Sequence, residues 1–101
     1  MNQHLKILIV DRAPVVAPTI REQLGKTKTS ACIHEASSFS DILFLLKDIS
    51  FDMIVYDSRL PERMRASLLR IVRAKYPRTR MVPFYWKARI SALQLLPENL
   101  N

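Results

Sequence analysis

Unbroken apolar runs mark the strands of this chain, and the central run organises the rest. In residues 51–61, FDMIVYDSRLP, positions 53–56 are all apolar or aromatic. Such a run predicts a strand buried on both faces, as in a parallel sheet covered by helices. The run ends at a carboxylate, Asp57, before a turn-forming Ser-Arg-Leu-Pro segment. Asp57 is therefore predicted at the carboxyl end of a central strand, where open α/β sheets bind ligands.

The same kind of pattern predicts three more strands. Residues 5–10 form an apolar run that also ends in a carboxylate, Asp11, as expected for parallel strands with their acids at one end. Residues 30–36, SACIHEA, are more polar, which is typical of an edge strand. Residues 80–86, RMVPFYW, contain Pro83, which cannot donate to a ladder, so this fourth strand should have at least one unpaired side.

The first connecting segment predicts a helix with an irregular start. In residues 13–25, three apolar residues spaced four apart share one face, and Gly25 suits the C-terminal cap. Pro18 would remove an internal hydrogen bond if the helix began at residue 13. We expect either a kink at Pro18 or a helix that starts near Ala17.

Three further helices follow from the same periodicity. Ser38 offers an N-cap for the second helix, residues 62–76 predict a third that ends before Pro77, and residues 90–96 indicate a short fourth. The apolar stripes of the four helices are, in order, Val16, Ile20 and Leu24; Ile42, Leu45, Leu46 and Ile49; Met64, Leu68, Ile71 and Val72; and Ile90, Leu93 and Leu96. Alternation of strands and helices predicts an α/β fold, a doubly wound parallel sheet with right-handed crossovers and helices on both faces.

Length and composition favour one cytoplasmic domain. A chain of 101 residues with 49% hydrophobic residues supports a single core, which we place in residues 5–86, with residues 87–101 as a terminal helix and tail. The lone cysteine, Cys32, cannot form a disulfide within the chain, and the start does not resemble a secretory signal. No apolar run approaches the ~20 residues of a membrane span.

The charge is uneven and strongly positive in the second half. The net charge is +7, and residues 59–89 contain ten basic residues against one acid, Glu62. Such a field attracts phosphates or an acidic protein face.

Four segments together resemble the receiver domain of bacterial two-component response regulators. They are LKILIVD at the start, EAS after the second strand, FDMIVYDSRLP in the centre and the KYP turn before the fourth strand, in the order and spacing of that family. The resemblance implies a flavodoxin-like three-layer sandwich with strand order 2-1-3-4-5. It also implies that Asp57 matches the aspartate that accepts a phosphoryl group from a histidine kinase, with Mg²⁺ as the cofactor.

The chain departs from the receiver pattern at the charged site. Arg12 stands beside Asp11 where receivers carry a second, Mg²⁺-binding acid, and a guanidinium cannot ligate a cation. The hydroxyl residue at the end of the fourth strand falls on Tyr85, and the usual glycine after the Leu-Pro pair falls on Arg65. The sequence ends at Asn101 without the fifth strand, its lysine or the fifth helix, which predicts a truncated sheet of order 2-1-3-4.

These departures favour a module that works without phosphate. Loss of a preorganised charge costs such a site on the order of a few kcal/mol per group. We expect Arg12 to pair with Asp57 and Asp11 and to replace the metal's charge permanently, leaving Asp11, Arg12 and Tyr85 as a remnant of the acidic pocket. Mg²⁺ enters only in the alternative in which Asp57 is phosphorylated.

A missing fifth strand would leave the fourth strand at an edge. We then expect its aromatic residues, Phe84, Tyr85 and Trp86, to be exposed to water, and proteins seldom leave such an edge uncovered. The final segment, a second copy or another protein would serve as the cover, and we favour a homodimer. The predicted interface comprises Met81, Phe84, Tyr85, Trp86, Ile90 and Leu93.

The rival interpretation is a nucleic-acid-binding module that uses the basic third helix as a phosphate footprint. Its candidate contacts, which also suit another anion or a protein partner, are Arg63, Arg70, Arg73, Arg78 and Arg80. An enzyme has no support, because the sequence has no Gly-rich loop and no nucleophile with a base. Cys32 and His34 lie two residues apart, yet with only His4 besides they do not form a metal set. The sequence therefore favours a non-catalytic receiver-like module for protein interaction in bacterial signalling or transcription control.

Overall fold

The chain alternates strand and helix in the order that the sequence predicts. A computed structural model describes residues 4–11, 16–27 and 30–85. Their elements are β1 (His4–Val10), α1 (Val16–Leu24), β2 (Ser30–Ala36), α2 (Phe39–Asp48), β3 (Met53–Asp57), α3 (Glu62–Lys75) and β4 (Arg80–Phe84). The predicted fourth helix, with Ile90 and Leu93, lies outside the described residues, as do Arg12 and Trp86.

The four strands form one parallel sheet in the order β2-β1-β3-β4. Val10 pairs with Ala36 on one side and with Tyr56 on the other, and Asp57 pairs with Phe84. The predicted fold class is confirmed: the protein is α/β. Its described residues form four strands and three helices, and the strand order is that of a truncated flavodoxin-like fold. The more polar β2 is an edge strand among the described strands, as its composition predicts.

Helices cover both faces of the sheet and create two cores. On one face α1 packs against residues of β1 and β3 such as Ile7, Ile9 and Val55. On the other face α2 and α3 pack against Leu8 and Ile54. All five residues of β3 are buried, because this strand lies between two neighbours and under helices on both sides.

The helix ends follow the sequence signals. The Ser38 side chain accepts a hydrogen bond from the Asp41 amide at 3.2 Å, so Ser38 is the N-cap of α2 as predicted. The described part of α1 runs from Val16 to Leu24 and includes Pro18. Residues 13–15 lie outside the described residues, so a kink at Pro18 and a start near Ala17 both stay predictions.

β4 pairs with β3 alone among the described strands, so it is an edge in this part of the chain. The amide of Arg80 donates to Asp52 and the carbonyl of Phe84 accepts from Ser58, which turns the even positions of β4 toward β3. Alternation then turns the missing N–H of Pro83 toward the open side. Among the described strands, β4 therefore has the predicted unpaired side, and Pro83 lies on it.

One expectation for β4 is wrong. Phe84 is only 4% exposed and packs in the core on the α1 face, whereas Tyr85 is 48% exposed. Phe84 and Tyr85 therefore do not form one exposed aromatic group, and Trp86 lies outside the described residues. Phe84 is therefore a core residue.

A helix that crosses a membrane needs a long apolar stretch, and none of the helices in the described residues has one.

Candidate functional site

Two buried carboxylates lie at the carboxyl edge of the sheet. Asp57 is the last residue of β3 and is 3% exposed, and Asp11 directly follows β1 and is 4% exposed. Since Val10 pairs with Tyr56, the two acids follow neighbouring positions of adjacent parallel strands. The sequence prediction that both acids lie at one end of the sheet is confirmed.

Arg59 binds the Asp57 carboxylate. Its Nε donates to Oδ1 at 3.2 Å and its Nη2 donates to Oδ2 at 3.1 Å, so one guanidinium contacts both oxygens. The backbone amide of Arg59 also donates to Oδ1, at 2.9 Å. Bidentate guanidinium–carboxylate pairs combine charge with two directed hydrogen bonds, which makes this the strongest described contact of the site.

The loop after β3 holds Arg59 in position. The amide of Leu60 donates to the Asp57 carbonyl at 3.0 Å, and the amide of Ser58 donates to Phe84 at 3.1 Å, so the loop is a tight turn attached to β4. From α3, the Arg65 guanidinium donates to the Ser58 carbonyl at 3.3 Å. Arg65 occupies the position where the resembled family carries glycine, and here it anchors the loop.

Asp11 has a different described role. Its Oδ2 accepts a hydrogen bond from the Val16 amide at 3.2 Å, and its own amide donates to Ala36 at 3.2 Å. Val16 is the first described residue of α1. Asp11 therefore binds the amino-terminal side of this helix, toward the positive end of its dipole.

These residues do not suit the Mg²⁺ that the resemblance implies. A hard cation needs several free oxygen ligands, but the Asp57 oxygens accept hydrogen bonds from a cationic side chain and Asp11 accepts one from a helix amide. Among the described residues, no three His, Cys, Asp or Glu side chains form a group able to hold a metal ion. Cys32 and His34 contact each other at 3.4 Å.

Tyr85 affects the proton affinity of a second tyrosine, Tyr56. Burial raises the pKa of Tyr56 above its ordinary 10.0, Tyr85 raises this pKa further, and Arg65 and Arg73 oppose the shift. Tyr56 belongs to the core under α2 and α3. Tyr85, the residue predicted as the strand-end hydroxyl, thus interacts electrostatically with the Tyr56 hydroxyl on the face of the sheet that α3 covers.

The basic surface predicted around α3 is exposed. Its five candidate contacts all lie at the surface: Arg63, Arg70, Arg73, Arg78 and Arg80. Ion pairs within 4.0 Å between described residues are Arg21 with Glu35 and Arg59 with Asp57. The five arginines therefore carry positive charge that no acid of the described residues neutralises.

Sequence reasoning missed Arg59 as a site residue. It counted this arginine only as part of the basic field and assigned the pairing with Asp57 to Arg12, which lies outside the described residues. The available signal was the turn itself, since an aspartate readily accepts a hydrogen bond from the backbone amide two residues on. That turn brings the side chain at the same position within reach of the carboxylate.

Comparison with known proteins assigns no family. The chain matches no protein-family model, and no curated protein is significantly similar to it. The receiver resemblance rests on the quoted motifs and on the strand order.

Proposed function

We propose that the chain is a receiver-like regulatory module of bacterial signal transduction or transcription control, which acts by protein–protein interaction and without phosphorylation. One observation carries the proposal: both oxygens of Asp57 accept hydrogen bonds from Arg59, a residue of the same turn. The position that accepts phosphate in the resembled family is thereby supplied with a permanent internal cation.

Phosphoryl transfer to Asp57 would have to disrupt this pair. A carboxylate attacks phosphorus through a free oxygen, and the incoming group needs cations placed around it. Here the guanidinium bonds to the attacking oxygens themselves, and the neighbouring Asp11 is bound to the amino-terminal side of α1. The geometry therefore supports a site in which Asp57 stays paired with Arg59 and is not phosphorylated. Regulation would then use a surface away from Asp57.

The proposed partner is a protein, with a homodimer as the first form to test. Exposed and half-buried apolar groups at the β4 end support this, notably Tyr85 and Met81. Pro83 disfavours a continuous ladder across the open edge, because it has no N–H to donate there. The contact is therefore proposed to use side chains rather than backbone pairing. A cytoplasmic location is part of the same proposal.

An NMR titration with Mg²⁺ and beryllofluoride, a phosphoryl mimic, tests the proposal against its main alternative. We expect no saturable amide shifts in the wild-type chain, and none in the matched control Asp57→Asn. Shifts confined to the wild type and centred on Asp11, Asp57 and Tyr85 would instead establish a phosphoacceptor domain served by a histidine kinase.

A second candidate, nucleic-acid binding, draws on the exposed arginines of α3 and the turn after it. Phosphate contacts release counterions, so such binding weakens steeply as salt rises, whereas an apolar protein contact does not. Binding of duplex DNA measured across a salt series separates the two functions.

A further inference from the structure

The outer face of α3 carries a stripe that is basic and apolar at once. Its five residues recur at the spacing of one helix face and surround a shallow depression of about 560 Å³. They are Ala66, Leu69, Arg70, Arg73 and Ala74, and we call them the α3 stripe. Four of them are exposed and Leu69 is half-buried. The opposite face of α3 buries Leu68 and Val72 in the core, so the stripe points away from the sheet.

The floor of the α3 stripe suits a second helix. Two alanines, Ala66 and Ala74, lie two turns apart with Leu69 between them. Small side chains let two helices approach to the 8–10 Å between axes that is usual for packed helices. The short alanine side chains lie next to longer ones and so leave a groove, into which a ridge of side chains from another helix can pack.

The arginines determine the charge of the partner. Arg70 lies one turn from each alanine and Arg73 lies beside Ala74, and Glu62 is the only acid in residues 59–85. Arginine stems lie along apolar surface while their guanidinium groups reach outward to carboxylates, and arginine is enriched at protein interfaces. A partner helix with carboxylates beside its apolar ridge would match this surface.

Two other occupants fit less well. A helix that lies in a membrane needs bulky apolar residues to insert, and the α3 stripe offers two alanines and one half-buried leucine. A groove for single-stranded nucleic acid uses aromatic platforms along a row of donors, whereas this stripe has no aromatic residue and three of its five side chains are aliphatic.

We propose that the α3 stripe docks an acidic amphipathic helix of a partner protein. The proposal rests on the proposed function, a module for protein interaction, and specifies the class of partner. Apolar contact with Ala66, Leu69 and Ala74 gives the helix its register, and Arg70 and Arg73 select for acidic residues.

Synthetic helices test the chemistry directly. The probe is a fluorescein-labelled peptide of about 18 residues, long enough for five turns, with leucines on one face and glutamates on the others. A scrambled peptide of the same composition, short duplex DNA and vesicles of phosphatidylserine and phosphatidylcholine are the comparison ligands. Binding is measured by fluorescence anisotropy for the peptides and DNA and by sedimentation for the vesicles, and peptide contacts are mapped by amide shifts.

We expect the amphipathic peptide to bind the full chain, with shifts centred on residues 66–74, and the scrambled peptide to bind at least tenfold more weakly. Arg70→Glu/Arg73→Glu is expected to weaken peptide binding about tenfold, and Ala66→Gln/Ala74→Gln similarly by blocking close approach. The matched control Lys26→Glu/Lys47→Glu makes the same change in net charge at exposed sites outside the stripe and is expected to leave binding within about twofold. Circular dichroism verifies that each variant is folded.

Equal binding of the scrambled peptide would overturn the inference, because charge alone would then explain the affinity. Tighter binding of DNA or vesicles that Arg70→Glu/Arg73→Glu abolishes would also overturn it in favour of those ligands. Absence of peptide binding overturns this inference alone, whereas a beryllofluoride response at Asp57 overturns the proposed function whatever the peptide does.

Discussion

The Arg59 guanidinium contacts both carboxylate oxygens of Asp57 from a position two residues along the same turn. Asp57 is buried, whereas the Arg59 side chain is 61% exposed, so the pair joins a core acid to a surface cation. Solvent screens such a pair in part, but the buried acid needs a partner to offset its lost hydration. The arginine therefore compensates for burying the acid of this otherwise apolar strand.

Removal of this side chain is expected to destabilise the fold. Arg59→Ala should lower the free energy of unfolding by about 1–2 kcal/mol, because Asp57 loses two charged hydrogen bonds and keeps the backbone amide of residue 59. Urea denaturation measures the change. Arg63→Ala is the control, since Arg63 is exposed and forms no ion pair with a described residue. Equal effects of the two substitutions would contradict a stabilising pair.

A hydroxyl joins the two helices on one face of the sheet. The Tyr76 hydroxyl, just after α3, donates to the Leu46 carbonyl in the last turn of α2 at 2.9 Å. Carbonyls of a last helical turn have no intrahelical partner, so Tyr76→Phe should cost about 1 kcal/mol of stability. Tyr85→Phe is the control, because Tyr85 is half exposed and its hydroxyl makes no hydrogen bond to a described residue. Thermal unfolding of both variants measures the loss. Equal midpoints for the two variants would argue against the interhelical hydrogen bond.

The sequence predicted the architecture well, because buried strands require runs of apolar residues that can be read directly from it. Apolar runs gave β1 and β3, a polar run gave the edge strand β2, and Ser38 gave the start of α2. Pro18 left two alternatives for α1, since its effect depends on which residue begins the helix. Residues 13–15 lie outside the described residues, so both alternatives stay predictions, although the Val16 amide donates to Asp11.

The site was less predictable, because it depends on side-chain direction rather than on periodicity. Phe84 and Tyr85 are neighbours in sequence but differ in burial, because Phe84 ends β4 with its side chain in the core and Tyr85 follows the strand. Arg59 reaches Asp57 because the turn folds back, which counting charges does not reveal. The acids Asp11 and Asp57 were correctly placed, since strand ends follow from the apolar runs themselves.

Alkaline titration tests the surroundings of Tyr56. Its pKa is raised above 10.0 first by burial and then by Tyr85, so the folded state holds this proton more tightly than the unfolded state does. The stability that results is complete below pH 10.0 and is lost as the pH rises through the raised value. The difference in unfolding free energy between wild type and Tyr56→Phe should therefore be constant below pH 10.0 and shrink above it.

Phenolate absorbance gives an independent measurement of the same group. The chain has three tyrosines, and Tyr56→Phe should remove a component that ionises above pH 10.0 in the folded protein. Tyr85→Phe should bring the Tyr56 component to lower pH, because it removes the second cause of the shift. A Tyr56 component centred at or below 10.0 would contradict the buried environment.

The central strand should be the most sensitive to truncation. Ile54 is 0% exposed and lies in β3 under α2 and α3, so Ile54→Ala leaves a cavity that neighbours on three sides cannot fill. We expect a loss of about 2–5 kcal/mol in the free energy of unfolding, a large share of what a domain of this size possesses. Phe44→Ala removes a larger side chain from α2, but Phe44 is 71% exposed and the change should stay within about 0.5 kcal/mol. Comparable losses at the two positions in urea denaturation would mean that Phe44 is covered in solution, and a second copy of the chain would then be the first cover to test, by repeating the measurement across protein concentrations.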